Sequence, residues 1–387
     1  MINSLIISLI IAGIGALIKF LDRKGYLHVL FNQAMFRIAP PITCDQKLSI
    51  KAITKLQAHL IRILVKDQNN FGRHQGQYGK SYDVKSSEIW QPKGSSENLN
   101  LKPRMYLTYW PVIIMKEHGV AQRSVSYAFA GIEKLFSDGR IPLFSSAPDP
   151  SPVGREQKWN YRHSMAGAHL LAINQPNNSI TRSVVGQMLD KNNPWQDCTG
   201  GWWQTSEKKG KPDLWASAYA LKLLDFMSKN QIVPFIQNPS SIKKTIEHTI
   251  CFFETEWNSQ HWGDPGRLLT EENLVLMFIE LSPILSRYSP ELKNKCITVM
   301  KDWLNPAGDL RKSYLERLAA QKTPIFSVQA YIRMAYAFYI SNDKTIDWHP
   351  LFERVAQSSL KQLYSTEWAF LLDLSFIYKR EVLSREL

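Results

Sequence analysis

The sequence predicts an all-α chain of about five to six helical hairpins closing into a ring, preceded by an N-terminal transmembrane helix. The first observation behind this is the stretch from Trp195 to Phe226. There a Gly-rich aromatic loop, Trp195-Gln-Asp197-Cys-Thr-Gly200-Gly201-Trp202-Trp203, leads through Pro212-Asp213 into the Ala- and Leu-rich run Leu214 to Phe226. Pro and Asp are helix-start signals, so the unit reads as loop, then buried helix. The second observation is recurrence. Taking Ser217 as reference, comparable places fall at Thr108, Ser164, Glu271 and Ser327, and the successive steps from 108 to 327 are 56, 53, 54 and 56 residues. About 54 residues is one helical hairpin plus a loop, and a ring is the natural closure of such hairpins. The third observation is that no stretch alternates with the period of two that a half-buried strand needs.

Taken in order, residues 1–20 are the expected membrane anchor. Ile2 to Leu17 is almost wholly apolar, and Lys19, Arg23 and Lys24 follow it. A secretory signal would carry its positive charge before the apolar run. About 17 to 20 residues suffice to span a bilayer, and the trailing cations place the body in the cytoplasm, at the inner membrane. A cleaved signal or a buried helix is the alternative. Residues 21–47 form a basic juxtamembrane segment, and from Lys19 to Lys80 eleven Lys or Arg face three acids, Asp22, Asp45 and Asp67. Membrane lipids are the partner this charge suits.

The body is residues 48–387. Leu48, Ile53, Leu56, Leu60, Ile63 and Leu64 repeat at helical spacing, with Lys51, Lys55 and Arg62 outside, and read as the first outer helix. Residues 69–100 are polar and rich in Gly, Ser and Tyr, a loop long enough to cover one mouth of the ring. Ser145 to Trp159, with Pro148, Pro150 and Pro152, is a stiff connector. Ser240 to Glu256 and Ser289 to Leu304 are expected helices, Ala330 to Ile340 is expected to be inner, and Leu351 to Leu383 supplies a final hairpin. About eleven or twelve helices account for the chain.

Composition bounds the function. The 387 residues are 44% hydrophobic, ample for one continuous core. Cys44, Cys198, Cys251 and Cys296 stand apart with no C-x-x-C, which fits reduced thiols. The net charge of +13 raises nucleic acid as a partner, but no helix-turn-helix, RRM, KH or zinc-finger signature appears. Nucleic acid is therefore the lesser reading, though not excluded.

The Gly-Gly-Trp-Trp loop followed by Asp213-Leu-Trp-Ala-Ser-Ala-Tyr-Ala-Leu resembles the repeat of the terpenoid cyclase and protein prenyltransferase α/α toroids. That resemblance implies an inner ring of helices wrapped by an outer ring. It does not extend to the chemistry, because the acidic D-x-D-D and D-D-x-x-D motifs of the cyclases are missing. The Asp-x-Cys pair that holds zinc in the prenyltransferases is missing too, and the nearest thing here is the adjacent pair Asp197-Cys198, whose side chains seldom converge on one ion. No metal or cofactor is expected.

Were the chain an enzyme, glycan chemistry would need two carboxylates across a cleft. Asp197, Asp213 and Glu271 are the catalytic candidates, with Asp264, Glu272 and Asp309 in similar places. Each has a plainer role: Asp213 as a helix cap, Glu271 and Glu272 as first-turn charges, Asp264-Pro-Gly as a turn. Trp203, Tyr109, His163 and His261 are the ligand-binding candidates, while Trp202, Trp215 and Trp262 are expected to lock hairpins together. The leading expectation is thus a membrane-tethered α/α toroid that binds a ligand or protein partner within a multi-protein bacterial assembly, such as a defence system. The runner-up is an enzyme, of transferase, cyclase or glycosidase type, acting on an isoprenoid or glycan lipid.

Overall fold

The computed structural model describes residues 48–68, 76–78, 105–137, 161–190, 195–204, 211–230, 239–259, 271–319, 327–358 and 363–386. They form fourteen helices: α1 (Ile50–Asp67), α2 (Met105–Glu117), α3 (Gln122–Ser137), α4 (Tyr161–Asn174), α5 (Ser179–Met188), α6 (Leu214–Lys229), α7 (Pro239–Ser259), α8 (Glu271–Glu280), α9 (Ser282–Tyr288), α10 (Pro290–Asp302), α11 (Lys312–Ala319), α12 (Ser327–Ser341), α13 (His349–Ala356) and α14 (Ser365–Glu386). Among the described residues the chain is all-α, with only isolated bridges between extended residues. The expected anchor (1–20), the basic segment (21–47), most of the 69–100 loop and the 145–159 connector lie outside the described residues. No helix among the described residues is long and apolar enough to cross a membrane.

The helices are of two kinds. In α1 the buried residues Ile53, Gln57, Leu60 and Leu64 form one stripe, and in α3 Val125, Ala128, Phe129, Ile132 and Leu135 do the same. Such helices bury one face. α4 and α6 instead bury residues on every side, Ser164 through Ala172 in one and Ala216 through Leu221 in the other. A helix apolar all round has to be covered all round. The contacts agree: α2 lies on α4, α4 on α6, α8 on α12, α12 on α14, and α14 returns to α2. Lys222 of α6 reaches Glu280 of α8 at 3.1 Å. Behind these six, α1 backs α14, α3 backs α2 and α4, α5 backs α4, α7 backs α6, α10 backs α8 and α12, and α13 backs α12 and α14.

The five reference positions of the repeat all fall near the starts of these enclosed helices, on α2, α4, α6, α8 and α12. The helix count exceeds the expected eleven or twelve because proline punctuates the covering layer. Pro283 and Pro290 each sit in the first turn of a new helix, dividing α8 from α9 and α9 from α10.

The contact of α14 with α2 is keyed by another proline. Pro111 lies inside α2 and has no N–H, so it cannot bond the carbonyl four residues back, that of Leu107. Ser365, the first residue of α14, donates its hydroxyl to that carbonyl at 2.8 Å. The helix defect and the contact of α14 with α2 are thus one feature.

The loop units repeat at the level of single hydrogen bonds. Trp202 N–H donates to Ser217 Oγ at 2.9 Å, and Tyr78 N–H donates to Thr108 Oγ1 at 3.0 Å. Trp202 Nε1 donates to Thr249 of α7 at 2.9 Å, while the Tyr78 hydroxyl meets Ser124 of α3 at 2.7 Å. Gln196 Nε2 donates to the Gly200 carbonyl at 2.9 Å, and Gln68 Nε2 to the Gly76 carbonyl at 2.8 Å. A third loop, Trp303 to Arg311, copies the backbone of the Trp195 loop. Asp197 N–H to Gly201 O at 2.7 Å and Trp203 N–H to Trp195 O at 3.0 Å are matched by Asn305 N–H to Asp309 O at 2.7 Å and Arg311 N–H to Trp303 O at 2.9 Å. The offset from 195 to 303 is 108 residues, two repeat lengths.

Candidate functional site

Most of the residues singled out from sequence serve the loops. Asp197 accepts from Thr199 N at 3.0 Å and from Thr199 Oγ1 at 2.7 Å. Partial burial pushes its pKa up, but these bonds and those from Cys198 outweigh it and hold the carboxyl below its ordinary value. Asp213 caps α6, accepting from Ala216 N at 2.6 Å. Glu271 opens α8. Trp202 is fully buried, Trp203 half-buried beside it, and His261, Trp262 and Asp264 lie outside the described residues. Trp215 is half-buried too, with Arg162 over its ring at 5.8 Å, so it is a less complete plug than the sequence suggested. His163 sits in the first turn of α4, where burial and then the Arg162 charge push its pKa down to about 3.

Tyr109 is different, because it belongs to a place where all six enclosed helices meet. Lys222 of α6 lies at its centre. Its ammonium is 4.6 Å from the Trp110 ring centroid, 5.2 Å from Tyr109 and 5.6 Å from Tyr219. Each is within the range at which an aromatic face attracts a cation. Glu280 of α8 completes the surround, and the Lys222 and Glu280 side chains are only 10% and 14% exposed. Trp110 stands edge-on to Phe370 of α14 at 5.3 Å, and Phe370 stacks on Tyr336 of α12 at 4.0 Å. His169 brings in α4, its Nδ1 2.5 Å from the Tyr109 hydroxyl.

Electrostatics fix the protons there. Burial, then the Lys222 charge, push His169 down to about 3, so the imidazole is neutral at pH 7. Burial pushes Tyr109 well above its ordinary value, with Tyr219 and Glu280 adding to the rise. A protonated phenol and a neutral imidazole thus share one hydrogen bond, whose direction follows the tautomer of His169. Tyr336 is likewise raised by burial, then by Asp373, Glu280 and Glu117.

A second cluster adjoins it at the C-terminal end of α2. His118 Nε2 lies 2.7 Å from Asp373 of α14, and its ring stacks on Phe376 at 4.2 Å. Burial raises Glu117, the neighbouring Asp373 raises it further, and His118 opposes the rise. The arrangement sets a carboxyl whose pKa is raised beside a second carboxyl bound to histidine. Among the described residues no group of three or more His, Cys, Asp or Glu is placed to hold a metal ion.

Sequence reasoning reached Tyr109 but missed Lys222, Glu280, His169, Glu117, His118 and Asp373. One signal was available: Lys222 stands among apolar neighbours, Tyr219 to Leu224, and such a charge needs a partner. The chain matches no protein-family model, no curated protein and no solved structure.

Proposed function

We propose that the chain is a membrane-tethered α/α toroid, its body on the cytoplasmic side, that binds a ligand or protein partner as one component of a multi-protein bacterial assembly. A defence system is one setting for such a component. The ring itself draws support from the order of helix contacts, with α14 on α2, and from the resemblance of the Trp195 unit to the terpenoid cyclase and prenyltransferase repeat. The observation that carries the functional reading is the Lys222 centre. In an aromatic-lined ring, the enclosed middle is where a bound substrate's positive charge would be stabilised. Here a resident ammonium occupies it, already paired with Glu280. Asp197 and Asp213 are likewise committed, to a turn and a helix cap. With the middle filled from within, binding falls to the rims and the outer faces.

Purified full-length protein incubated with prenyl diphosphates and lipid-linked sugars tests this. The expected result is no turnover, and clear product formation would overturn it. A second reading rests on Glu117, His118 and Asp373, since a carboxyl raised by burial beside a second carboxyl bound to histidine is a general acid–base arrangement. It makes the chain an enzyme on an isoprenoid or glycan lipid. Turnover abolished by both Glu117→Gln and Asp373→Asn would establish that reading in place of the first.

A further inference from the structure

The helices α7, α10 and α11 carry lysines whose charge is met by a glutamate one turn away: Lys243 with Glu247 at 3.8 Å, Lys295 with Glu291 at 2.8 Å and Lys312 with Glu316 at 3.6 Å. This is ordinary helix-surface pairing. α1 departs from it. Lys51, Lys55, Arg62 and Lys66 are exposed, and the one acid of the helix, Asp67, is buried. Among the described residues none of the four cations joins an ion pair. At 3.6 residues per turn they fall within about 60° of one another, along about 22 Å of helix, and opposite the buried stripe of Ile53, Leu60 and Leu64.

Apolar side chains accompany the charge. The large hydrophobics exposed among the described residues are Val65 at 43%, Leu383 at 40% and Tyr364 at 38%. One is on α1, and the others belong to α14 or its approach, the helix that α1 covers. α1 and α14 run in opposite senses, because Lys379, near the end of α14, donates to Thr54, near the start of α1, at 2.9 Å. Tyr364 and Leu383 therefore stand toward opposite ends of the basic stripe. An unpaired cationic row flanked by exposed apolar side chains is the composition that binds an anionic bilayer, the cations at the headgroups and the apolar groups just below them.

We infer that the outward face of α1 is a docking surface for anionic lipid headgroups, so that the molecule lies against the membrane on the α1–α14 side. The inference rests on the tethered-ring reading for its geometry: α1 belongs to the circumference of the ring rather than to either mouth, and α7 stands on the far side. It places the contact on a folded helix, beyond the apolar N-terminal segment. Each cation near an anionic surface strengthens partitioning by about fivefold, and raising salt removes the gain.

The test uses full-length protein in bilayer nanodiscs of pure phosphatidylcholine, and in others with roughly one third phosphatidylglycerol. Amine-reactive labelling is read by mass spectrometry at Lys51, Lys55 and Lys66, with Lys243 and Lys244 of α7 as internal reference. The expected result is several-fold protection of the α1 lysines in the anionic bilayer only, lost at about 1 M salt, where the screening length falls to about 3 Å. A triple variant that keeps Lys55 as the reporter, Lys51→Glu, Arg62→Glu and Lys66→Glu, checked for fold by circular dichroism, should show Lys55 labelled alike in both bilayers. If the chain resides in the bilayer but α1 labels alike in both compositions, the inference is overturned while the tether stands. If the chain does not insert, yet phosphatidylglycerol vesicles protect α1, the tether reading fails and the inference holds. Protection by duplex or single-stranded nucleic acid, with none by phosphatidylglycerol, also overturns it and makes the stripe a nucleic-acid surface.

Discussion

Gly200 has φ of +93°, and a Cβ there would stand 2.2 Å from the His248 carbonyl oxygen of α7. Gly76 repeats the case two units earlier, with φ of +79° and the Tyr127 carbonyl oxygen of α3 at 2.4 Å. Gly308 shares the backbone conformation, at +77°, but nothing lies within 4 Å of its Cβ position. Left-handed strain alone costs an L-residue about 1 to 2 kcal/mol, and overpacking adds about 1 to 3 more. Gly200→Ala and Gly76→Ala should therefore destabilise by about 3 kcal/mol or more, and Gly308→Ala by about 1 kcal/mol, in denaturant titrations. Equal losses at all three would remove the close approach of loop to helix as the reason for the glycines. The neighbouring tryptophans divide similarly. Trp202→Ala opens a fully buried site whose indole N–H is satisfied by Thr249, and should cost about 3 to 5 kcal/mol. Trp203→Ala, at a half-buried site, should cost clearly less, and a thermal melt of both variants distinguishes them. Asp213 was legible as a cap because Pro and Asp precede an Ala–Leu run. Lys222 and Glu280 were not, because the two lie 58 residues apart in sequence, and only the rotation of two helices about their axes turns them toward each other.

At the scale of elements, the regular spacing of Thr108, Ser164, Ser217, Glu271 and Ser327 located the enclosed helices, since a repeated unit must present the same side inward each time. The covering layer was less legible. Its breaks at Pro283 and Pro290 depend on where a short helix can stop without losing its cover, which periodicity does not encode. The bond that keys α14 to α2 was hidden as well, because a proline within a helical pattern announces a freed carbonyl but not its new donor. A double-mutant cycle tests that bond. Ser365→Ala should cost about 1 to 3 kcal/mol, the penalty for leaving the enclosed Leu107 carbonyl unsatisfied. In a Pro111→Ala background the restored N–H satisfies that carbonyl within α2, and the same serine change should then cost a few tenths of a kcal/mol. Additive losses would show that Ser365 stabilises the contact by some other means.

For the whole molecule, acid should act through the enclosed His169, with the half-buried His163 contributing less. His169 and His163 are held at about 3 in the fold and return to their ordinary value of 6.5 when exposed. Between those values the unfolded chain binds the extra protons, so stability is greatest above pH 6.5 and falls as pH drops toward 3. Each site contributes a slope of up to about 1.4 kcal/mol per pH unit. His169→Gln, which keeps a hydrogen-bonding partner for Tyr109, should lose about 2 kcal/mol less than wild type between pH 6.5 and 5 in urea titrations, and identical pH profiles would contradict the enclosed neutral imidazole. The central claim is that the meeting place of the six helices is filled and held by the chain's own Lys222–Glu280 pair. The stability of Lys222→Met, Glu280→Gln and the double variant tests it most directly. Removing one partner strands the other in an enclosed, aromatic setting, and each single change should cost about 3 kcal/mol, the low end for a buried pair because both side chains keep slight solvent contact. The double variant should recover most of that loss, leaving a strong positive coupling. Single variants that melt like wild type, with no coupling between the two positions, would contradict the claim and return the centre to the role of an open ligand site.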